Sequence, residues 1–104
     1  MRLLMEMRMP VEKGNAAIKD PNFQQNMKAM LDDLKPEAAY FAPDNGQRAA
    51  WFVVQAKDAS ELPRLAEPFW FAFNADISFT PIVLAEDLAK AGPAIAAAAK
   101  KYGK

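Results

Sequence analysis

Five side chains in three segments of this chain could do chemistry together, because they combine a carboxylate, a guanidinium, a phenol, an indole and an amide. They are Glu6, Arg8, Tyr40, Trp51 and Gln55. An arginine can hold an anionic group, and an indole ring can stack on an aromatic ligand. A carboxylate or a tyrosine can serve as a general base or acid. The set predicts a small-molecule binding site, and it would also suit a carboxylate-dependent enzyme.

The same side chains can be interpreted as a structural network without chemistry. Buried charges in proteins are usually paired and hydrogen-bonded for structural reasons. Glu6 and Arg8 would then pair with each other, within one subunit or across a dimer, and Trp51 would fill space. The sequence leaves both interpretations open.

The 104-residue chain contains neither histidine nor cysteine. Imidazole bases, the Ser–His–Asp relay, thiolate nucleophiles and cysteine zinc sites are therefore excluded. Methionine is frequent, but Met5, Met7, Met27 and Met30 lie on apolar stripes, where thioethers fill irregular cores. We expect no metal and no cofactor.

The charges and the apolar pattern limit the partners. Thirteen basic residues balance thirteen acidic ones, and no face carries the basic footprint that nucleic-acid binding needs. No apolar run approaches the ~20 residues of a membrane span. Glu6 interrupts the amino-terminal segment where a signal peptide would be apolar. We expect a cytoplasmic protein that binds neither nucleic acid nor membrane.

The first half of the chain predicts three strands and a helix. Residues 1–9 alternate between two faces, which is typical of a strand. Residues 11–19 give no clear prediction. Asp20-Pro21 is a favourable helix start, with Asp20 as N-cap, and Pro36 ends the helix. Strands at about 37–42 and 49–55 flank a Pro43-Asp44-Asn45-Gly46 turn, which is a strong hairpin signal.

The second half predicts a helix, a strand and a further helix. We expect Ser60 as the N-cap, since this puts Pro63 in the first turn, where no hydrogen bond is lost. Phe71 lies off the apolar stripe of this helix, and Asn74 fits a left-handed helix end. A strand over 76–83 and an alanine-rich helix with a break at Gly92-Pro93 complete the chain.

This order of segments predicts one α+β domain over residues 1–104. Strand–helix–strand–strand–helix–strand is typical of the ferredoxin-like (split βαβ) sandwich, in which both helices cover one face of four antiparallel strands. The alanine-rich segment is an extra C-terminal helix. Its apolar stripe could dock on its own subunit or on a neighbour, and the sequence does not decide between them. The stripe consists of Leu84, Leu88, Ile95, Ala99 and Tyr102.

The two faces of the predicted sheet differ in composition. The uncharged face should lie under the helices; it consists of Leu3, Met5, Met7, Phe41, Phe52, Val54, Ile77, Phe79 and Val83. The other face mixes large apolar groups with a few charges, whereas a solvated face would be mostly charged and threonine-rich. It consists of Leu4, Glu6, Arg8, Tyr40, Trp51, Val53, Gln55, Ser78, Thr80 and Ile82. No sequence remains to cover it, so we expect a homodimer.

Several short stretches carry a resemblance to known proteins. They are Gly14-Asn15-Ala16-Ala17-Ile18, Leu34-Lys35-Pro36-Glu37-Ala38-Ala39-Tyr40-Phe41, Ala66-Glu67-Pro68-Phe69 with Phe73-Asn74-Ala75, and Asp87-Leu88-Ala89-Lys90-Ala91-Gly92-Pro93. With these stretches the chain resembles an uncharacterised family of short bacterial proteins in the dimeric α+β barrel superfamily. Muconolactone isomerases and antibiotic-biosynthesis monooxygenases are distantly similar. The resemblance implies the fold and supplies no mechanism.

Three functions are compatible with these observations. The first is a small homodimeric barrel that binds an apolar or aromatic small molecule. The second is a cofactor-free isomerase or monooxygenase that uses a carboxylate, Arg, Tyr or Trp. The third is a structural or interaction module. The sequence does not settle whether the protein is an enzyme.

Overall fold

The computed structural model describes residues 1–104 as a four-stranded sheet with four helices. In chain order the elements are β1 (Arg2–Met9), α1 (Val11–Lys19), α2 (Phe23–Leu34), β2 (Ala38–Asp44), β3 (Gln47–Gln55), α3 (Leu62–Phe73), β4 (Asp76–Pro81) and α4 (Ala85–Tyr102). A short 3₁₀ turn, Ala59–Glu61, leads into α3.

The sheet is antiparallel throughout, in the order β2–β3–β1–β4. This arrangement is the ferredoxin-like α+β fold that the segment order predicts. The first and third strands, β1 and β3, are central. The register places Glu6 of β1 between Trp51 of β3 and Ser78 of β4, so these three side chains share one face.

The core lies between one face of the sheet and the helices. β1 alternates strictly between half-buried and buried residues, which confirms its predicted period of two. The other strands and α3 add apolar side chains to the same layer. The buried set includes Leu3, Met5, Met7, Met9, Phe52, Val54, Leu65, Phe69 and Phe73. Phe52 is 0% exposed, and its ring centroid lies 5.7 Å from that of Phe69.

Two residues predicted for this core are exposed instead. Phe41 is 60% exposed and Val83 is 62% exposed. Phe41 lies on β2, an edge strand that has a neighbour on one side only; its ring meets Phe52 edge-on at 6.0 Å. Val83 follows the last residue of β4, Pro81, and therefore leaves the sheet. The prediction was wrong at Phe41 because an edge strand is covered less completely than a central one, and at Val83 because it extended β4 two residues too far.

The helix starts also differ from their predictions. α2 begins at Phe23, because the Asp20 carboxylate accepts a hydrogen bond from the Asn22 N–H at 2.9 Å and closes a turn first. Ser60 is not an N-cap. The Asp58 side chain accepts from the Ser60 N–H at 2.9 Å and caps the 3₁₀ turn. Asp and Ser side chains both favour hydrogen bonds to nearby backbone N–H groups. Here the side chain of Asp58 forms this bond.

Two left-handed residues form the turn of the β2–β3 hairpin. Asn45 and Gly46 have φ values of 51° and 76°, as expected for a two-residue type I′ turn. This confirms the hairpin signal in the sequence. Asn74 has a φ of 51° at the end of α3 and confirms the predicted left-handed cap.

α4 is one continuous helix, so the predicted break at Gly92-Pro93 is wrong. None of its residues is buried, and it has no substantial packing with any other element. A proline in a helix interior costs about 3 kcal/mol and a glycine about 1 kcal/mol relative to alanine. In proteins most of the stability of a helix comes from packing its apolar side against another surface. α4 therefore needs a packing partner.

None of the helices combines the length and the apolar character that crossing a membrane requires.

Candidate functional site

The centre of the open sheet face, the face away from the core, holds a network around Glu6. Its Oε1 accepts a hydrogen bond from the Trp51 indole N–H at 2.7 Å. Its Oε2 accepts from the Arg8 guanidinium at 3.0 Å and lies 3.4 Å from the Ser78 hydroxyl, which donates to it. Both carboxylate oxygens are therefore occupied.

Arg8 joins Glu6 to a second carboxylate, that of Asp44. The Arg8 Nε donates to Asp44 Oδ2 at 2.5 Å. This hydrogen bond is the main cause that raises the pKa of Arg8. Asp44 was not among the predicted site residues, because the sequence places it in the hairpin turn. The two-residue turn extends β2 to Asp44 and brings its side chain to Arg8.

The structure brings together three of the five predicted site residues: Glu6, Arg8 and Trp51. Tyr40 lies opposite Trp51 in the register of β2 and β3, but it is 65% exposed. Gln55 belongs to a separate group at the other end of the sheet. The geometry of the Glu6 group is that of an internally satisfied network, since each carboxylate oxygen of Glu6 accepts at least one hydrogen bond.

Gln55 lies in a cluster with Arg2 and Glu37. The Arg2 guanidinium donates two hydrogen bonds to the Glu37 carboxylate, at 2.9 and 3.1 Å. The Gln55 amide donates a third at 2.6 Å. The hydrogen bonds from Arg2 and then Gln55 lower the pKa of Glu37. The cluster ties the start of β2 to the centre of the sheet.

This lowered pKa predicts a pH dependence of stability. A carboxylate whose pKa is lower in the folded state than in the unfolded state stabilises the fold at pH values above its unfolded pKa. The contribution is lost as the pH falls through the lower, folded pKa. We expect Glu37→Gln to lower the urea midpoint at neutral pH, and the difference from the unmodified chain to shrink progressively as the pH falls below the ordinary glutamate pKa of 4.5. Glu67→Gln, on the exposed side of α3, is the matched control. A pH-independent difference for Glu37→Gln would contradict the assignment.

A cavity of about 520 Å³ lies on the helix side of the sheet. It opens between α2, the end of β1 and the β2–β3 hairpin. The walls are almost entirely apolar, and four of the side chains are methionines or phenylalanines from β1 and α2. The lining residues are Met7, Met9, Phe23, Met27, Phe41, Ala42, Pro43, Arg48 and Ala49. Phe41, exposed at the sheet edge, is one wall of this cavity.

Arg48 is the only charged residue that lines this cavity. Its Nη1 donates to the Asn15 side-chain oxygen at 3.0 Å, and it forms no ion pair. Gly14 gives it room, since a Cβ at that position would lie 2.9 Å from Arg48 Nη1 and 3.1 Å from Met9 Sδ. Arg48 is exposed, and it also borders the cavity.

This cavity can take up an apolar or aromatic group, and Arg48 can contact an anionic substituent at its edge. The sequence did not reveal it, because its lining comes from four elements that meet only in the fold. No group of three or more carboxylates comes close enough to hold a metal ion.

Comparison with curated proteins gives no significant match. The family comparison matches residues 1–96, nearly the whole chain, to a family described as a domain of unknown function. That description agrees with the predicted kinship to an uncharacterised family and assigns no activity. On this match the chain belongs to the family named Domain of unknown function (DUF3303).

Proposed function

We propose that this protein is a small homodimeric barrel that binds an apolar or aromatic small molecule. The observation that carries the proposal is the apolar cavity of about 520 Å³ beside α2. Binding pockets for small molecules typically have volumes of about 300–1,000 Å³, apolar walls and few polar groups. This cavity has each of those properties.

The walls and the edge of the cavity define the ligand chemistry. Met7, Met9 and Met27 have flexible, polarizable side chains, which adapt to ligands of different shape. Arg48 has no carboxylate partner, so its guanidinium is available to an anionic group. The ligand is therefore an apolar or aromatic molecule, and an acidic substituent should strengthen its binding.

The open sheet face supports the homodimer. It carries Trp51, Leu4 and Val53 beside charges that already pair within one subunit. A second copy could cover such a face without leaving an unpaired charge. In this proposal the predicted site residues belong to the subunit interface. The enzyme alternative needs a free carboxylate base, whereas Glu6 is engaged by Trp51 and Arg8.

A matched pair of substitutions on α2 tests the cavity. Met27→Trp should fill it, whereas Met30→Trp changes a similarly half-buried methionine on the same helix outside it. We expect the fluorescent probe 1-anilinonaphthalene-8-sulfonate to bind the unmodified protein and Met30→Trp, and to bind Met27→Trp about tenfold more weakly or not at all. Equal affinities for both variants would contradict the site.

An uncharged probe of the same aromatic skeleton, N-phenyl-1-naphthylamine, tests the role of Arg48. Arg48→Gln should weaken binding of the sulfonate about fivefold, in line with one exposed charge–charge contact. The uncharged probe should bind Arg48→Gln and the unmodified protein equally. Equal losses for both probes would show a steric effect and contradict anion recognition. Isothermal titration at constant salt measures both affinities.

A further inference from the structure

We infer that α4 packs on the second copy of the chain and forms part of the subunit interface. The inference rests on the proposed homodimer and adds the element that completes it. Its starting point is that α4 is unpartnered within its own subunit.

One side of α4 carries a stripe of apolar side chains that no residue of the subunit covers. The stripe comprises Leu84, at the N-cap, and Leu88, Ile95, Ala99 and Tyr102. These residues follow one another at intervals of four, seven, four and three, which places them on one side of a helix. Leu88 and Ile95 are each 55% exposed. Glu86, Lys90 and Lys100 lie on the opposite side. Such amphipathic helices bury the apolar side against another surface.

The connection to β4 keeps α4 away from its own subunit. Only three residues separate the end of β4 from the start of α4. The Ile82 N–H donates to the Arg2 carbonyl at 3.1 Å, and the Leu84 N–H donates to the Asp87 carboxylate at 2.9 Å. These bonds fix the direction in which the helix leaves. The subunit is consequently 59 Å long but only 28 and 21 Å across.

The size of the open sheet face is the reason to assign a second copy as the partner. Four strands at about 4.8 Å spacing and about 24 Å length give a footprint of about 450 Å². A stable interface takes about 800 Å² from each partner. One side of an 18-residue helix, about 27 Å long and about 10 Å wide, adds roughly 270 Å². The sheet face with α4 comes close to the required area, whereas the sheet face alone does not.

The charges also favour a copy of the same chain over a charged macromolecule. The chain has thirteen basic and thirteen acidic residues, and the charged groups at the centre of the open face already pair with each other. The central group of two carboxylates and one guanidinium keeps a single net negative charge, so the face offers little to a highly charged macromolecule, and a second copy related by a two-fold axis is the better match.

Two alanines of α4 allow a matched test. Ala99 lies on the apolar stripe, and Ala97 lies on the opposite side of the same helical turn. We expect Ala99→Glu to raise the dimer dissociation constant about 100-fold or more, because it places a charge in a packed interface. Ala97→Glu should change it less than about threefold. Sedimentation equilibrium measures both constants. Equal constants for the two variants would overturn the inference.

Cross-linking identifies the subunit that α4 contacts. Because the chain has no cysteine, Ile95→Cys can carry a single benzophenone label. Labelled light chains are mixed with unlabelled ¹⁵N chains, irradiated and digested. Cross-links between light and heavy peptides are expected. Cross-links confined to light peptides of the same subunit, in a protein that is dimeric, would overturn the inference and leave the homodimer intact. A monomer at every concentration would instead overturn the homodimer itself.

Discussion

Phe52→Ala is expected to lower the free energy of unfolding by about 4 kcal/mol, because it removes a ring from the middle of the core. Phe52 is fully buried and its ring lies against those of Phe41 and Phe69. The neighbouring side chains belong to a sheet and a helix that cannot collapse into the space. A loss of this size is a large fraction of the total stability of a domain, about 5–15 kcal/mol. Urea unfolding followed by circular dichroism measures it.

Phe71→Ala provides the matched control, since it is the same substitution at a residue that is 83% exposed. Its expected effect on the free energy of unfolding is below about 0.5 kcal/mol. Similar losses for Phe52→Ala and Phe71→Ala would mean that the core does not lie between the sheet and α3.

Arg8→Met is expected to destabilise the dimer strongly, with a clear fall in the urea midpoint of unfolding. The substitution leaves the carboxylates of Glu6 and Asp44 without their shared cation. In a single subunit these carboxylates are partly exposed, and water could solvate their charges after the loss of the guanidinium. Under a second sheet they would be buried, and an uncompensated buried charge is costly. The size of the loss therefore reports whether the face is covered.

Arg64→Met is the control for this substitution. Arg64 forms a 3.2 Å ion pair with Glu61 on the outside of α3 and is exposed. Exposed pairs contribute about 0–1 kcal/mol. A similarly small effect for Arg8→Met, measured by urea unfolding at micromolar protein, would indicate that the sheet face stays in contact with water.

The fold was largely predictable because its central strands have strong local signals. The alternation over β1 and the Asn45-Gly46 turn define the register, and the register places Glu6 beside Trp51. The prediction failed where the local signal was weak or where two neighbouring residues gave the same signal. α1 has only Gly14 buried, so it shows no apolar stripe. Asp58 and Ser60 compete for the same capping role, and only the geometry of the turn decides between them.

The candidate sites were predictable to different degrees. The polar network lies on central strands, whose pairing follows from the order of the elements. Asp44 and Ser78 were not among the predicted site residues. Ser78 was predicted on the correct sheet face, whereas the position of Asp44 depends on the exact length of the hairpin turn. The cavity was not predictable, because it forms where the side chains of Met9, Met27, Phe41 and Arg48 fail to fill the space between their elements. Such a gap depends on packing, and a sequence pattern does not record it.

The proposed homodimer is tested most directly by the mass of the unmodified protein in solution. Native mass spectrometry at micromolar concentration should give a species of twice the 11.5 kDa chain mass. A dimer is expected because the open sheet face and α4 together offer close to the area of a stable interface. A single species at the mass of one chain would contradict the account.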